Sequence, residues 1–130
     1  MPSLKLENIK AKHKGLSDKL DSLANMIQKA GEHGDVLLPR VVARHLRISE
    51  ADALALLMLF EDAGWIRHRY DVLCPKSKAV LFSVYDKNEI TEEEYECKFC
   101  GAEHACDDLE IELVFEILAA GRNARTDTAA

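Results

Sequence analysis

Aromatic residues are scarce, at 6% of the 130 positions, with one tryptophan and three prolines in the whole chain. A core without many rings has to be assembled from Leu, Ile, Val and Ala, which the 48% hydrophobic content permits, and the first half of the chain is expected to be mostly helical. No apolar run reaches the roughly 18 residues of a membrane-spanning helix. The N-terminal MPSLKLENIKAKHK lacks the apolar stretch of a secretory signal, so a cytoplasmic location is expected. Cysteine is also sparse. Its four copies, Cys74, Cys97, Cys100 and Cys106, all fall after residue 73, and in a reducing compartment such a cluster points to metal ligands or buried thiols, not a disulfide framework. There is no Gly-rich phosphate loop, nucleophile elbow, HExxH pair or identifiable Cys/His catalytic couple, so enzymatic activity is not expected.

Charge is present but unevenly placed. Residues 1–47 sum to +4 and residues 48–130 to −10, giving the net −6. The acidic half repels a phosphate backbone, and the basic half can tolerate one. The length fits one compact domain, or a small domain with a metal-stapled appendage, and two small pieces are expected.

Leu16, Leu20, Leu23 and Ile27 recur at spacings of four, three and four, which predicts an amphipathic helix ending near Ala30, with Gly15 breaking or bending it so that Leu4, Leu6 and Ile9 belong to a separate leading turn or strand. Gly31-Glu32-His33-Gly34-Asp35 supplies a stop and a turn. Pro39 suits the first turn of a helix over Arg40 to Leu46 that turns Val41, Val42 and Leu46 inward. Ser49, with Asp52 three residues on, is a capping signal for a helix from Glu50 to Ala63. Gly64 ends that helix, and Trp65 to Leu73 alternates as a strand. Val80 to Tyr85 and Glu110 to Ile117 read as further strands, joined through a turn at Asp86 to Glu89.

A short helix, an Ile-Ser turn, a longer helix closing on Phe60-Glu61-Asp62-Ala63-Gly64-Trp65-Ile66 and a polar strand resemble the winged helix-turn-helix. The resemblance spans about residues 36–73 and implies a scaffold that binds DNA in some proteins and other polypeptides in many. If Ala53, Leu56, Leu57 and Phe60 form the inner stripe of the second helix, its outward positions are Glu50, Asp52, Leu54, Ala55, Met58 and Leu59. None of these is a base-reading Arg, Lys, Asn or Gln. Leu54, Met58 and Leu59 are therefore the expected partner-binding residues, facing another protein or a second copy of this chain. The alternative is a DNA-binding regulator holding phosphates with Arg40, Arg44, Arg47, Arg67 and Arg69, to which His68 and the N-terminal lysines would add.

Cys97-Lys98-Phe99-Cys100-Gly101 fits a metal knuckle, in which two thiolates leave one tight turn and a glycine follows the second ligand. With Cys74-Pro75-Lys76-Ser77 the pattern resembles a degenerate zinc ribbon. The resemblance implies cysteine at position 77, and this chain has serine. Cys74, Cys97 and Cys100 are then the candidate zinc ligands, with His104 as the first choice for the fourth donor and Cys106 as the second. A metal-free remnant packed by apolar residues and a metal- or redox-responsive switch are the other readings of the same cysteines.

The expectation is an α+β chain with an N-terminal amphipathic helix over 1–35, a winged-helix core over 36–73, an antiparallel, β-rich, zinc-ribbon-like extension over 74–120 and a flexible tail over 121–130. It serves as a non-enzymatic adaptor or accessory subunit through protein contacts, with no membrane association.

Overall fold

Leu20, Leu23 and Ile27 are fully buried along α2 (Ser17–His33), as the spacing requires, and Leu16, one turn earlier, is instead exposed because Lys14–Leu16 winds as a 3-10 turn. The computed structural model describes residues 5–90 and 94–122. Gly15 does break the periodicity, but the segment ahead of it is a helix and not a turn or strand: α1 (Leu6–Lys12), anchored by buried Ile9. Leu4 lies outside the described residues. Helix α2 runs past Gly31 and stops at Gly34, whose φ of 69° is the left-handed cap that glycine supplies without a Cβ penalty.

Helix α3 (Pro39–Leu46) opens with Pro39 in its first turn, where no backbone N–H is needed. It buries Val42, Ala43 and Leu46. Val41, expected inside, is 41% exposed, since its neighbours already occupy the inward stripe. Lys19 reaches the C-terminal end of α3 and donates from Nζ to the Leu46 carbonyl at 3.1 Å, satisfying one of the orphan acceptors there. Helix α4 (Glu50–Asp62) is capped by the Ser49 hydroxyl, which accepts from the Asp52 N–H at 3.0 Å. Its inner stripe is Ala53, Leu56, Leu57 and Phe60, all buried. Phe60 meets buried Trp65 edge-on with ring centroids 4.9 Å apart.

The chain is α+β, with antiparallel sheets. Strands β1 (Ile66–Leu73), β2 (Val80–Val84) and β5 (Glu110–Ile117) form one sheet in the order β2-β1-β5. Tyr70 pairs with Val84 and Val72 with Phe82, and the register shifts between Val72 and Leu73. A second hairpin, β3 (Glu94–Glu96) with β4 (Glu103–Ala105), pairs Tyr95 with His104. Strand β3 carries Glu94 and Glu96, charged residues on either side of Tyr95. Tyr95 nonetheless packs on Phe82, with ring centroids 4.7 Å apart.

The chain divides elsewhere than at the 73/74 junction expected from sequence. One unit holds residues up to Arg67 together with those from Phe115 onward, and the other is His68–Val114. In the first, Leu37 forms an isolated antiparallel bridge with Phe115, exchanging N–H···O bonds of 2.9 Å in both directions, and the Leu118 N–H donates to the Trp65 carbonyl at 2.9 Å. Gly121 and Arg122, assigned above to the tail, belong to a short helix, α5 (Ala119–Arg122). Gly121 is buried there, where a Cβ would stand 2.5 Å from the Trp65 carbonyl oxygen. The rest of the predicted tail, 123–130, lies outside the described residues. Among the described residues no helix is long and apolar enough to cross a membrane.

Candidate metal centre

Two turns of the His68–Val114 unit are built alike. In Cys74-Pro75-Lys76-Ser77-Lys78-Ala79, between β1 and β2, the Lys78 N–H donates to the Cys74 carbonyl at 2.9 Å and the Cys74 N–H donates to the Ala79 carbonyl at 2.9 Å. In Cys97-Lys98-Phe99-Cys100-Gly101-Ala102, between β3 and β4, the Gly101 N–H donates to the Cys97 carbonyl at 2.9 Å and the Cys97 N–H to the Ala102 carbonyl at 3.0 Å. The fifth residue is left-handed in both, with φ of 62° at Lys78 and 75° at Gly101. Position by position, Ser77 in the first turn stands where Cys100 stands in the second. Glycine makes the second turn legible in the sequence. In the first turn Lys78 takes that conformation, which is uncommon for a non-glycine residue and carries strain.

The donors converge. Cys74 Sγ and Cys100 Sγ lie 3.7 Å apart, and His104 Nε2 is 3.3 Å from Cys74 Sγ and 3.1 Å from Cys100 Sγ. All three atoms fall within 4.8 Å of one another and could hold a metal ion. In a tetrahedral site with metal–sulfur bonds of about 2.3 Å and metal–nitrogen bonds of about 2.0 Å, the sulfur–sulfur edge is about 3.8 Å and the sulfur–nitrogen edge about 3.5 Å. The observed spacings are close to those edges. His104 lies in β4, opposite Tyr95 in the register of the hairpin. Cys106, the second choice for a donor, has its side chain outside the described residues.

Cys97 is buried beside them, with its Sγ 3.5 Å from the Ser77 hydroxyl, and Cys74, Cys97 and Cys100 are all free thiols. Burial opposes ionisation of Cys74, but hydrogen bonding from Ser77, the Lys76 amide and the Cys97 thiol outweighs it and brings the thiol down to about 6. The Ser77 hydroxyl lowers Cys97, against burial and with help from the amides of Cys100 and Phe99. At Cys100 the Ala102 amide pulls downward, but burial and the neighbouring thiols of Cys74 and Cys97 push it up. The amides that lower these thiols are the ones a knuckle aims at metal-bound sulfur. Ser77 is therefore a polar neighbour of two thiols: its amide N–H lies 3.4 Å from Cys74 Sγ.

The candidate partner-binding residues lie on α4 in the other unit. Met58 is 50% exposed, and Leu54 and Leu59 are half-buried, Leu59 lining a shallow hollow with Ile9, Lys12, His13, Asp62 and Ala63. Helix α4 carries four acids, Glu50, Asp52, Glu61 and Asp62, and no cation. Of the candidate phosphate contacts, Arg40, Arg44, Arg47 and Arg67 are exposed. Arg69 is engaged otherwise: its Nε donates at 2.9 Å to buried Asp71, which also accepts from the Ser83 hydroxyl at 2.7 Å.

Comparison with known proteins finds no family model, no curated protein and no solved structure that matches this chain.

Proposed function

We propose that the chain is a non-enzymatic adaptor on a winged-helix scaffold, contacting protein through α4 and carrying a structural zinc ion in the His68–Val114 unit. The order α2, the Leu37 bridge, α3, α4, β1 and β5 supports the winged-helix reading. In it β1 and β5 are the wing strands, and the zinc-ribbon-like hairpins are inserted into the wing instead of following it. Cys74, Cys97, Cys100 and His104 are the zinc ligands in this reading, and the near-tetrahedral spacing of three of their donor atoms supports it.

One observation carries the adaptor reading. The helix that a DNA-binding winged helix inserts into the groove is here without a cation and offers half-exposed Met58 between Leu54 and Leu59. Acids at its start meet phosphates with repulsion, whereas an unbranched methionine fills irregular protein surfaces well. Met58→Asp is expected to abolish association, with itself or with a co-purifying protein, while circular dichroism shows an unchanged fold. Size-exclusion chromatography with light scattering reads the outcome, and association identical to wild type contradicts the proposal.

A regulator that grips DNA is the second reading, favoured by Arg40, Arg44 and Arg47, exposed at i, i+4 and i+7 at α3. Gel shifts at low ionic strength separate the two. The adaptor gives no retarded band, and the regulator gives one that weakens steeply with salt and with Arg44→Glu.

A further inference from the structure

The His68–Val114 unit has little to hold it together. Among the described residues it buries five apolar side chains, Val72, Cys74, Val84, Cys97 and Val114, whereas the helical unit buries nineteen, including Trp65, Phe60 and Phe115. Two of those five are cysteines of the candidate centre. The unit also shelters the Asp71 carboxylate, keeps Lys78 in a left-handed conformation, and sums to −7, so that self-repulsion works against its compact state. Segments below about 70–80 residues rarely hold together by a hydrophobic core alone, and those that fold commonly add disulfides or metals. The three described cysteines form no disulfide. The β1–β2 hairpin meets the β3–β4 hairpin where Cys74 approaches Cys100 and His104 and Ser77 approaches Cys97, and otherwise through the ring contact of Phe82 with Tyr95.

We infer that metal binding is the folding step of residues 68–114: loaded, the two hairpins are held as one unit, and stripped, they unravel while the helical unit keeps its fold. This rests on the proposed zinc site and extends it to regulation, since zinc availability then determines whether the acidic surface of this unit exists in a form a partner can recognise. Zinc enters as the divalent ion, and the protons of the three thiols leave to solvent. The helical unit stays folded because its apolar core contains none of the ligands.

The test uses the full chain, isotopically labelled, in 1H–15N correlation spectra with stoichiometric zinc, after removal of zinc by a strong chelator under reducing conditions, and after zinc is added back. The expected result is that amide signals of 68–114 collapse into the narrow range of an unfolded chain on stripping and regain dispersion on reloading, while those of 5–67 do not move appreciably. Cys100→Ser, which removes a ligand without any chelator, should give the stripped spectrum directly. Dispersed signals for 68–114 in the metal-free protein overturn the inference, as does simultaneous collapse of the whole chain. Cobalt(II) titration separates the two levels: absence of thiolate-to-cobalt absorption overturns the zinc site itself, whereas cobalt binding without a change in dispersion overturns only its role in folding.

Discussion

His104→Ala is expected to lower metal affinity by more than about 100-fold, and adding Ser77→Cys to the same protein to restore it, because removing a side chain that binds the metal directly costs at least the roughly 10–100-fold lost when a ligand's hydrogen-bond partner is removed. Ser77 occupies in the first turn the place that Cys100 occupies in the second, with the same pair of backbone bonds closing each turn and the same left-handed residue following. A thiol at 77 therefore leaves its turn in the direction of the candidate centre, while serine is a poor zinc donor at neutral pH, and in the proposed site the fourth corner falls to His104. Competition titration against a chromophoric chelator gives the affinities. The cobalt(II) spectrum gives the ligand set, moving from a Cys3His pattern in the wild type to a four-sulfur pattern in the double variant. An unrescued double variant contradicts the equivalence of the two turns, and an undiminished single variant contradicts the role of His104.

Phe60→Ala destabilises the helical unit by about 3–5 kcal/mol, the range for emptying a fully buried aromatic site. Phe60 is 0% exposed, on the inner stripe of α4, and holds the edge-on contact with Trp65. The Trp65 carbonyl in turn accepts from the Leu118 N–H, so the cavity opens beside the point where the chain leaving β5 is fastened to the residue that follows α4. Urea denaturation of the zinc-loaded protein, followed by tryptophan fluorescence from the single Trp, measures the loss. A change below about 1 kcal/mol shows that the site refills by repacking, and that this contact is not central to the core.

The helices were legible because their signals are local. Pro39 at a first turn, Ser49 as a cap, and Ala53, Leu56, Leu57 and Phe60 at helical spacing each act within a few residues, and the structure places them as read. Val41 shows the limit: an apolar residue next to a buried one is not thereby buried. The convergence of Cys74, Cys100 and His104 was also readable, since a C-x2-C turn followed by glycine carries its own geometry and only the fourth donor had to be chosen. Less accessible was anything that depends on long-range pairing. That β5 returns to the helical unit is decided by the Leu37–Phe115 bridge, between residues far apart in sequence. The β3–β4 hairpin was concealed by its glutamates, because three-residue strands leave too little alternation to detect. Arg69 looked available from its type, but its capture by Asp71 required the strand to be folded.

X-ray absorption at the zinc edge, on the full chain purified under reducing conditions, tests the metal centre most directly. The expected result is one zinc per chain, with three sulfur neighbours at about 2.3 Å and one nitrogen neighbour at about 2.0 Å. Protein that retains no zinc after stoichiometric loading, or a coordination shell dominated by oxygen, contradicts it.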